Sequence, residues 1–143
     1  MPPTVRLVRP QSAVVPYRFV EGGLEFLLIT SMRKKKWIIP KGLVEFGLSA
    51  QESAAREAYE EAGVMGSVEP QMLGVYEYMK WGGYCRVEVY LMEVDSVLRD
   101  WPEKDDRKRR WFPARKAIKQ IHNEALREIL EYGRKVLFKK LMP

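Results

Sequence analysis

Residues 12–20 are mostly apolar or aromatic, Gly22-Gly23 interrupts them, and residues 24–30 resume the apolar run. Two such runs joined by a tight glycine pair predict a β-hairpin. Trp37-Ile38-Ile39 is a short buried-strand pattern halted by Pro40, and Lys41-Gly42 opens a loop. Ser49 followed by Glu52 has the spacing of a capping box, in which the serine oxygen accepts from an orphan amide and the glutamate reaches back. A helix should begin there, run to about Ala62 and stop at Gly63. Ala54, Ala55, Ala58 and Ala62 give it a smooth face that can lie close to a sheet.

Beyond Gly66, residues 72–79 and 84–94 read as two strands joined through Trp81-Gly82-Gly83. In the second, Val87, Val89 and Leu91 alternate with Arg86, Glu88 and Tyr90. Residues 95–110 are polar and charge-rich and read as a loop, with Trp111-Phe112 a short strand after it. Pro113 can start a small helix carrying Ala117 and Ile118. Leu126, Ile129, Leu130, Val136 and Leu137 recur at helical spacing and predict a terminal helix over residues 123–141. Strands, helix, strands and terminal helix place the chain in the α/β class, although propensity alone leaves several sandwich topologies open.

At 143 residues the chain is one domain's worth, so a single domain over residues 1–143 is expected. Apolar residues make up 46% and charged residues 31%, which argues against disorder. No apolar run approaches a membrane span, and Arg6, Arg9 and three prolines interrupt the N-terminal stretch where a signal peptide needs its apolar region. Cys85 is the single cysteine, so there is no internal disulfide and no Cys/His cluster of zinc spacing. Cytoplasmic residence is the expectation that follows. Twenty-five basic against 19 acidic residues give a net charge of +6. The basic residues concentrate in Arg33-Lys34-Lys35-Lys36, at Lys41, from Lys104 to Arg110 and at Lys139-Lys140, which suits a polyanionic substrate or, equally, a solubilising surface.

The candidate chemistry lies on the first predicted helix. Residues three and four apart share a helix face, so Glu57 meets both Glu60 and Glu61 while Arg56 meets Glu60. Each like-charge pair costs an isolated helix roughly 0.2 to 0.5 kcal/mol, and Arg56 is the only cation within a turn. A hard divalent cation with oxygen ligands, Mg²⁺ or Mn²⁺, would neutralise the cluster. Spacing alone also allows a solvated acidic face.

The flanking residues narrow that choice. Residues 42–64 resemble the Nudix box, which runs Gly, five residues, Glu, seven residues, Arg-Glu, an apolar residue, any residue, Glu-Glu, any residue, Gly and an apolar residue. Gly42, Arg56, Glu57, Glu60, Glu61, Gly63 and Val64 stand at its fixed positions, Ala58 is a small version of the apolar residue, and Leu48 stands where the first glutamate belongs. The resemblance covers essentially the whole chain and implies an α/β/α sandwich with a mixed sheet between helices. It also implies a pyrophosphohydrolase in which Glu57, Glu60 and Glu61 bind Mg²⁺ or Mn²⁺ and one of them doubles as the base that activates water. Arg56 would pin a glutamate, and Gly42 would supply a tight turn or a carbonyl toward the metal. Leucine can neither bind metal nor accept a hydrogen bond, so Glu45 is the nearest replacement for the missing carboxylate.

Trp37 to Gly42, Arg56 to Val64, Arg109 to Phe112 and Ala117-Ile118 look closest to the diphosphoinositol polyphosphate phosphohydrolases, a branch also known as diadenosine polyphosphate hydrolases. That likeness implies a polyphosphorylated small molecule as substrate. Arg33, Lys34, Lys35, Lys36 and Lys41 are then the candidate phosphate-binding residues, followed by Arg109 and Arg110. Trp81 or Tyr84 could stack on a base. His122 reads as a cap or surface residue, and Glu77, Glu88, Glu93, Asp105 and Asp106 are open candidates for an additional base. Two alternatives remain: an RNA 5′-pyrophosphohydrolase, since the basic balance serves a nucleic acid too, and a weakened polyphosphate- or RNA-binding module in which Leu48 marks a decayed site.

Overall fold

The computed structural model describes residues 6–7, 10–80 and 82–141, positions 6 and 7 through their backbone. Strands β1 (Arg6–Leu7), β2 (Gln11–Val20), β3 (Gly23–Thr30), β4 (Trp37–Ile38) and β5 (Lys41–Leu43) precede helix α1 (Ala50–Glu57), which continues as a wide π-helical turn, Ala58–Ala62. Then come β6 (Val64–Val68), β7 (Gly74–Lys80), β8 (Gly83–Val97), β9 (Arg109–Pro113), α2 (Ala114–Gln120) and α3 (Glu124–Lys140).

β2 and β3 form the expected hairpin, but its turn is Glu21-Gly22. Val20 pairs with Gly23, so Gly23 already belongs to the strand. β8 organises the sheet. β2 runs parallel along one edge of it, from Gln11 opposite Val87 to Tyr17 opposite Glu93, and β7 and then β6 run antiparallel along the other. β3 carries β4 and β9, both antiparallel, and β5 pairs with the start of β2.

Strand side chains alternate between faces, and that alternation sorts the core. Ala13, Val15, Tyr17, Phe26, Leu28, Val87, Val89 and Leu91 pack with Ala117 of α2 and Leu126, Leu130 and Leu137 of α3. Val14, Leu27, Ile29, Tyr90 and Met92 pack with Ala54, Ala58 and Ala62 on the other side. A mixed sheet between helices, the expected α/β/α sandwich, follows directly. Ala54, Ala58 and Ala62 bury completely and Ala55 in part, which brings the backbone of α1 close to the sheet.

Several boundaries differ from the sequence reading, and Lys41-Gly42, expected to open a loop, belongs to β5. β6 occupies a segment for which no strand was expected, β8 continues to Val97 into the expected loop, and β7 starts at Gly74 rather than 72. Trp81 lies outside the described residues. Among the described residues no helix is long and apolar enough to cross a membrane.

Candidate active site

Helix α1 starts where the capping box places it. Ser49 Oγ accepts from the Glu52 amide at 3.0 Å, and Glu52 Oε1 accepts from the Ser49 amide at 2.9 Å, a cap of about 1 kcal/mol. Gly63 ends it in the left-handed region at φ 64. The last turn is a π turn, a geometry common at functional sites, and it carries Glu60 and Glu61.

Gly42 sits within β5 opposite Ser12, in extended pairing rather than in a turn. It is glycine because of Glu57: a Cβ on residue 42 would overlap Oε1 and Cδ of that side chain and lie 2.9 Å from its Cγ. The Glu57 carboxylate therefore rests on the bare backbone of β5. Glu61 lies beside it, 7% exposed, with Oε1 accepting from the Lys41 amide at 3.2 Å. Burial pushes Glu61 up to about 8, Arg107 pulls it back in part, and the Glu57 charge and hydrogen bond add to the rise. Burial raises Glu57 as well; Glu61 donates a hydrogen bond to it, while Glu60, Glu103 and Glu45 press on its charge.

Glu60 is held differently. Arg56 Nε donates to Glu60 Oε1 at 3.1 Å, and its Nη1 donates to Glu45 Oε2 at 3.0 Å. Arg56 thus meets two carboxylates, the second supplied by Glu45, three residues before Leu48. The Leu48 amide donates to the Glu45 carbonyl at 3.0 Å, a turn that brings Glu45 back over α1, and the Glu45 amide is anchored on Ser53 Oγ at 3.0 Å.

The charged run before β9 contributes residues that spacing does not single out. Arg107 lies 3.5 Å from Glu61, donates to Glu103 at 2.8 Å and reaches the Thr30 carbonyl at 3.0 Å. Trp101 Nε1 donates to the Glu61 carbonyl at 3.2 Å. Arg109, expected at the substrate, instead closes the end of the helix: its guanidinium donates to the carbonyls of Ala62, Gly63 and Leu98 and stacks 3.8 Å from the Trp101 ring. Arg110 lies exposed over Phe112.

On the α2/α3 side of the sheet a cleft of about 480 Å³ is lined by Lys34, Lys36, Trp37, Lys41, Tyr76, Tyr78 and His122, among others. Lys41 Nζ donates to the Tyr78 hydroxyl at 3.1 Å, and that hydroxyl donates to Gln11 Oε1 at 2.8 Å. Burial lowers the Lys41 pKa, with Glu61 opposing. Arg33 and Lys35 stand exposed in the same β3–β4 loop as Lys34 and Lys36. Asn123, not His122, caps α3. Glu77 pairs with Arg86, Glu93 accepts from Tyr17, and Glu88 accepts from Tyr90. Asp105 and Asp106 line a separate hollow with Lys35 and Arg107. Gln11, Tyr76, Tyr78 and Arg107 were not anticipated. The alternation of β7, which puts both tyrosines on one face, is the signal that could have found two of them.

A carboxylate pair on a helix seated against a bare glycine, mounted on a mixed sheet between helices, defines an α/β/α sandwich with an acidic site on one face of its sheet. The NUDIX domain family matches residues 9–132. Nudix hydrolase 13, mitochondrial, of Arabidopsis thaliana is 34% identical over 142 residues, covering 84% of this chain and 70% of that protein. Diphosphoinositol polyphosphate phosphohydrolase 2 of Rattus norvegicus is 40% identical over 112 residues, covering 75% of this chain and 61% of the rat protein. Among solved structures, a C. elegans Ap4A hydrolase in a binary complex superposes with a TM-score of 0.80 at 24% identity, covering 92% of this chain and 99% of that one, a likeness of fold. The chain belongs to the Nudix family, as a Nudix hydrolase.

Nudix enzymes generally use a divalent metal such as Mg²⁺. Among the described residues no three of His, Cys, Asp and Glu stand in a ready-made metal cluster: Glu57 and Glu61 converge, while Glu60 turns to Arg56. The donor chemistry nevertheless fits a hard cation. Glu57 forms no ion pair with any described lysine or arginine, and its carboxylate is pressed by neighbouring negative charge, a load that a divalent ion with oxygen ligands relieves.

Proposed function

We propose that this chain is a Mg²⁺- or Mn²⁺-dependent pyrophosphohydrolase that cleaves a phosphoanhydride bond in a polyphosphorylated small molecule, a dinucleoside polyphosphate or a diphosphoinositol polyphosphate. The observation that carries the reading is the Glu57 carboxylate lying on bare Gly42 beside buried Glu61. Glu57 and Glu61 would hold the cation, joined by Glu60 and the Gly42 carbonyl. Once bound, the cation supplies neutralisation of charge at the phosphate oxygens and acidification of water.

The protein's own part is positioning. Gly42 gives Glu57 its seat, the Lys41 amide and Arg107 fix Glu61, and Arg56 holds Glu60 against Glu45. Lys34, Lys36 and Lys41 at the cleft, with Arg33 and Lys35 in the adjoining loop, offer positive charge to a phosphate chain. Trp37, Tyr76 and Tyr78 add flat apolar walls to that cleft, which favours a substrate carrying a base. The rat relative bears the name of a diphosphoinositol polyphosphate hydrolase, and the shared chemistry is the charged phosphate chain. A reducing compartment such as the cytoplasm suits the free, buried Cys85.

The test is turnover of a panel of dinucleoside polyphosphates, diphosphoinositol phosphates, nucleotide sugars and triphosphorylated RNA with Mg²⁺, by the wild type and by Glu57→Gln and Glu61→Gln. We expect hydrolysis of a dinucleoside or diphosphoinositol polyphosphate and a loss on the order of 100-fold in each variant. Absence of turnover, or equal turnover by the variants, overturns the reading; preference for triphosphorylated RNA moves the substrate to nucleic acid.

A further inference from the structure

The Ser12 hydroxyl is fully buried and has no hydrogen-bond partner among the described residues. A buried hydroxyl without a polypeptide partner costs about 1 to 3 kcal/mol unless a water or an ion completes it. Its place in the sheet says what surrounds it. Ser12 of β2 stands opposite Gly42 of β5 on one side and opposite Glu88 of β8 on the other. Residues directly opposite point to the same face, so Gly42, Ser12 and Glu88 form a row across three strands. That face also carries Val14, Tyr90 and Met92, the core covered by α1.

Glu57 lies on the Gly42 end of this row. Glu88 occupies the other end, half-buried, with its Oε2 accepting from the Tyr90 hydroxyl at 3.2 Å, and it forms no ion pair among the described residues. The row crosses two strand spacings, about 10 Å, with a buried hydroxyl unpartnered among the described residues between two carboxylates that form no ion pair with any described lysine or arginine. We propose that Glu88 and Ser12 extend the cation site from α1 onto the sheet. Glu88 supplies a further oxygen ligand, direct or through a bound water, Ser12 Oγ hydrogen-bonds to that water, and Tyr90 sets the Glu88 carboxylate. The inference rests on the reading of Glu57 and Glu61 as the cation site.

Mn²⁺ affinity of the full chain, measured without substrate by electron paramagnetic resonance of the free ion, separates the two. Wild type, Glu57→Gln, Glu88→Gln and Ser12→Ala are compared, with Tm recorded with and without Mn²⁺. We expect Glu88→Gln to weaken Mn²⁺ binding by about 10- to 100-fold, as supporting partners of metal sites do, with the Mn²⁺-free Tm unchanged. Ser12→Ala should bind Mn²⁺ more weakly than wild type and show a smaller Mn²⁺-induced rise in Tm. Glu88→Asp, which keeps the charge, serves if the glutamine variant fails to fold, with a smaller loss expected. Wild-type affinity in the Glu88 and Ser12 variants, alongside lost binding in Glu57→Gln, overturns this inference and leaves the reading of the site standing. No Mn²⁺ binding by the wild type overturns both.

Discussion

Replacing Gly42 with alanine separates a catalytic role from a packing role at the centre of the site. The added Cβ would overlap Oε1 and Cδ of Glu57 and lie 2.9 Å from Cγ, and the three nearest atoms all belong to that one flexible side chain. The backbones of β5 and α1 can stay where they are while the carboxylate swings away. Overpacking costs about 1 to 3 kcal/mol where a core must give; here a half-exposed side chain gives, and the loss of glycine freedom in the unfolded chain returns about 0.4 to 1 kcal/mol. Net stability should change by less than about 2 kcal/mol. Catalysis has no such relief, because a displacement of about 1 Å at a reacting centre costs on the order of 100-fold, equivalent to about 2.7 kcal/mol in the barrier. Gly42→Ala should therefore retain its Tm within a few degrees while Mg²⁺-supported kcat/KM on the substrate that turns over falls about 100-fold. Activity within about threefold of wild type would refute the claim that the Glu57 seat matters, and a variant that unfolds would show the contact to be packing.

Other expectations follow from the same contacts. Glu61, raised by burial to about 8, takes up a proton on folding between the ordinary glutamate range and pH 8; stability of the chelator-treated protein should fall as pH rises through that window and level off above it. Thermal unfolding from pH 5 to 9 checks the slope, which Glu61→Gln should flatten; identical slopes in both proteins would count against it. Glu45→Ala frees one side of Arg56 and should lower kcat about 10-fold, the lower end for supporting partners, with Leu48→Glu in the same chain restoring it; no loss would show that Arg56 does not need this carboxylate, and a loss without rescue that position 48 cannot supply it. Arg109→Ala removes three bonds to carbonyls and the Trp101 stack, so urea unfolding should show a loss of about 2 to 4 kcal/mol. A raised KM at unchanged stability would instead make Arg109 a phosphate ligand.

The elements that were legible carry their signals locally. The hairpin, the capping box at Ser49, the Gly63 stop and the spaced leucines of α3 each need only a few neighbouring residues to be recognised. β6 was hidden because Gly66 reads as a break. In the sheet it sits at a bulge against β8, where a Cβ would overlap the Glu93 carbonyl oxygen, so the residue that looks like an interruption is what permits the pairing. The polar end of β8 was hidden for the same reason: Ser96 and Val97 are strand because Met65 and Val64 lie opposite them, and their own composition reads as loop. The π turn at Ala58–Ala62 leaves no mark either, since its alanines and glutamates are good α-helix formers.

In the site, like-charge crowding pointed to the right helix but could not apportion the charges. Spacing offers Arg56 to Glu60 and Glu57 to Glu61 as equal neighbours, and both pairs form, one exposed and cationic, the other at the sheet and acidic. Depth separates them, and depth comes from β5 and from Arg107, neither of which the helix sequence encodes. The run from Lys104 to Arg110 likewise does not say which cation turns inward: Arg107 and Arg109 do, while Lys104, Lys108 and Arg110 stay exposed. Leu48 is the sharpest case. Read as a lost carboxylate it argues for decay, yet the tight turn through Gly47 at φ 86 carries Glu45 to Arg56 instead, so the arginine meets two acids without a glutamate at position 48. What the exchange alters is exposure, because the side chains of Arg56 and Glu45 are 54% and 46% accessible. An ion pair that open is screened by salt, and the hold on Glu60 should loosen as ionic strength rises while buried Glu61, with half-buried Glu57 beside it, is affected less.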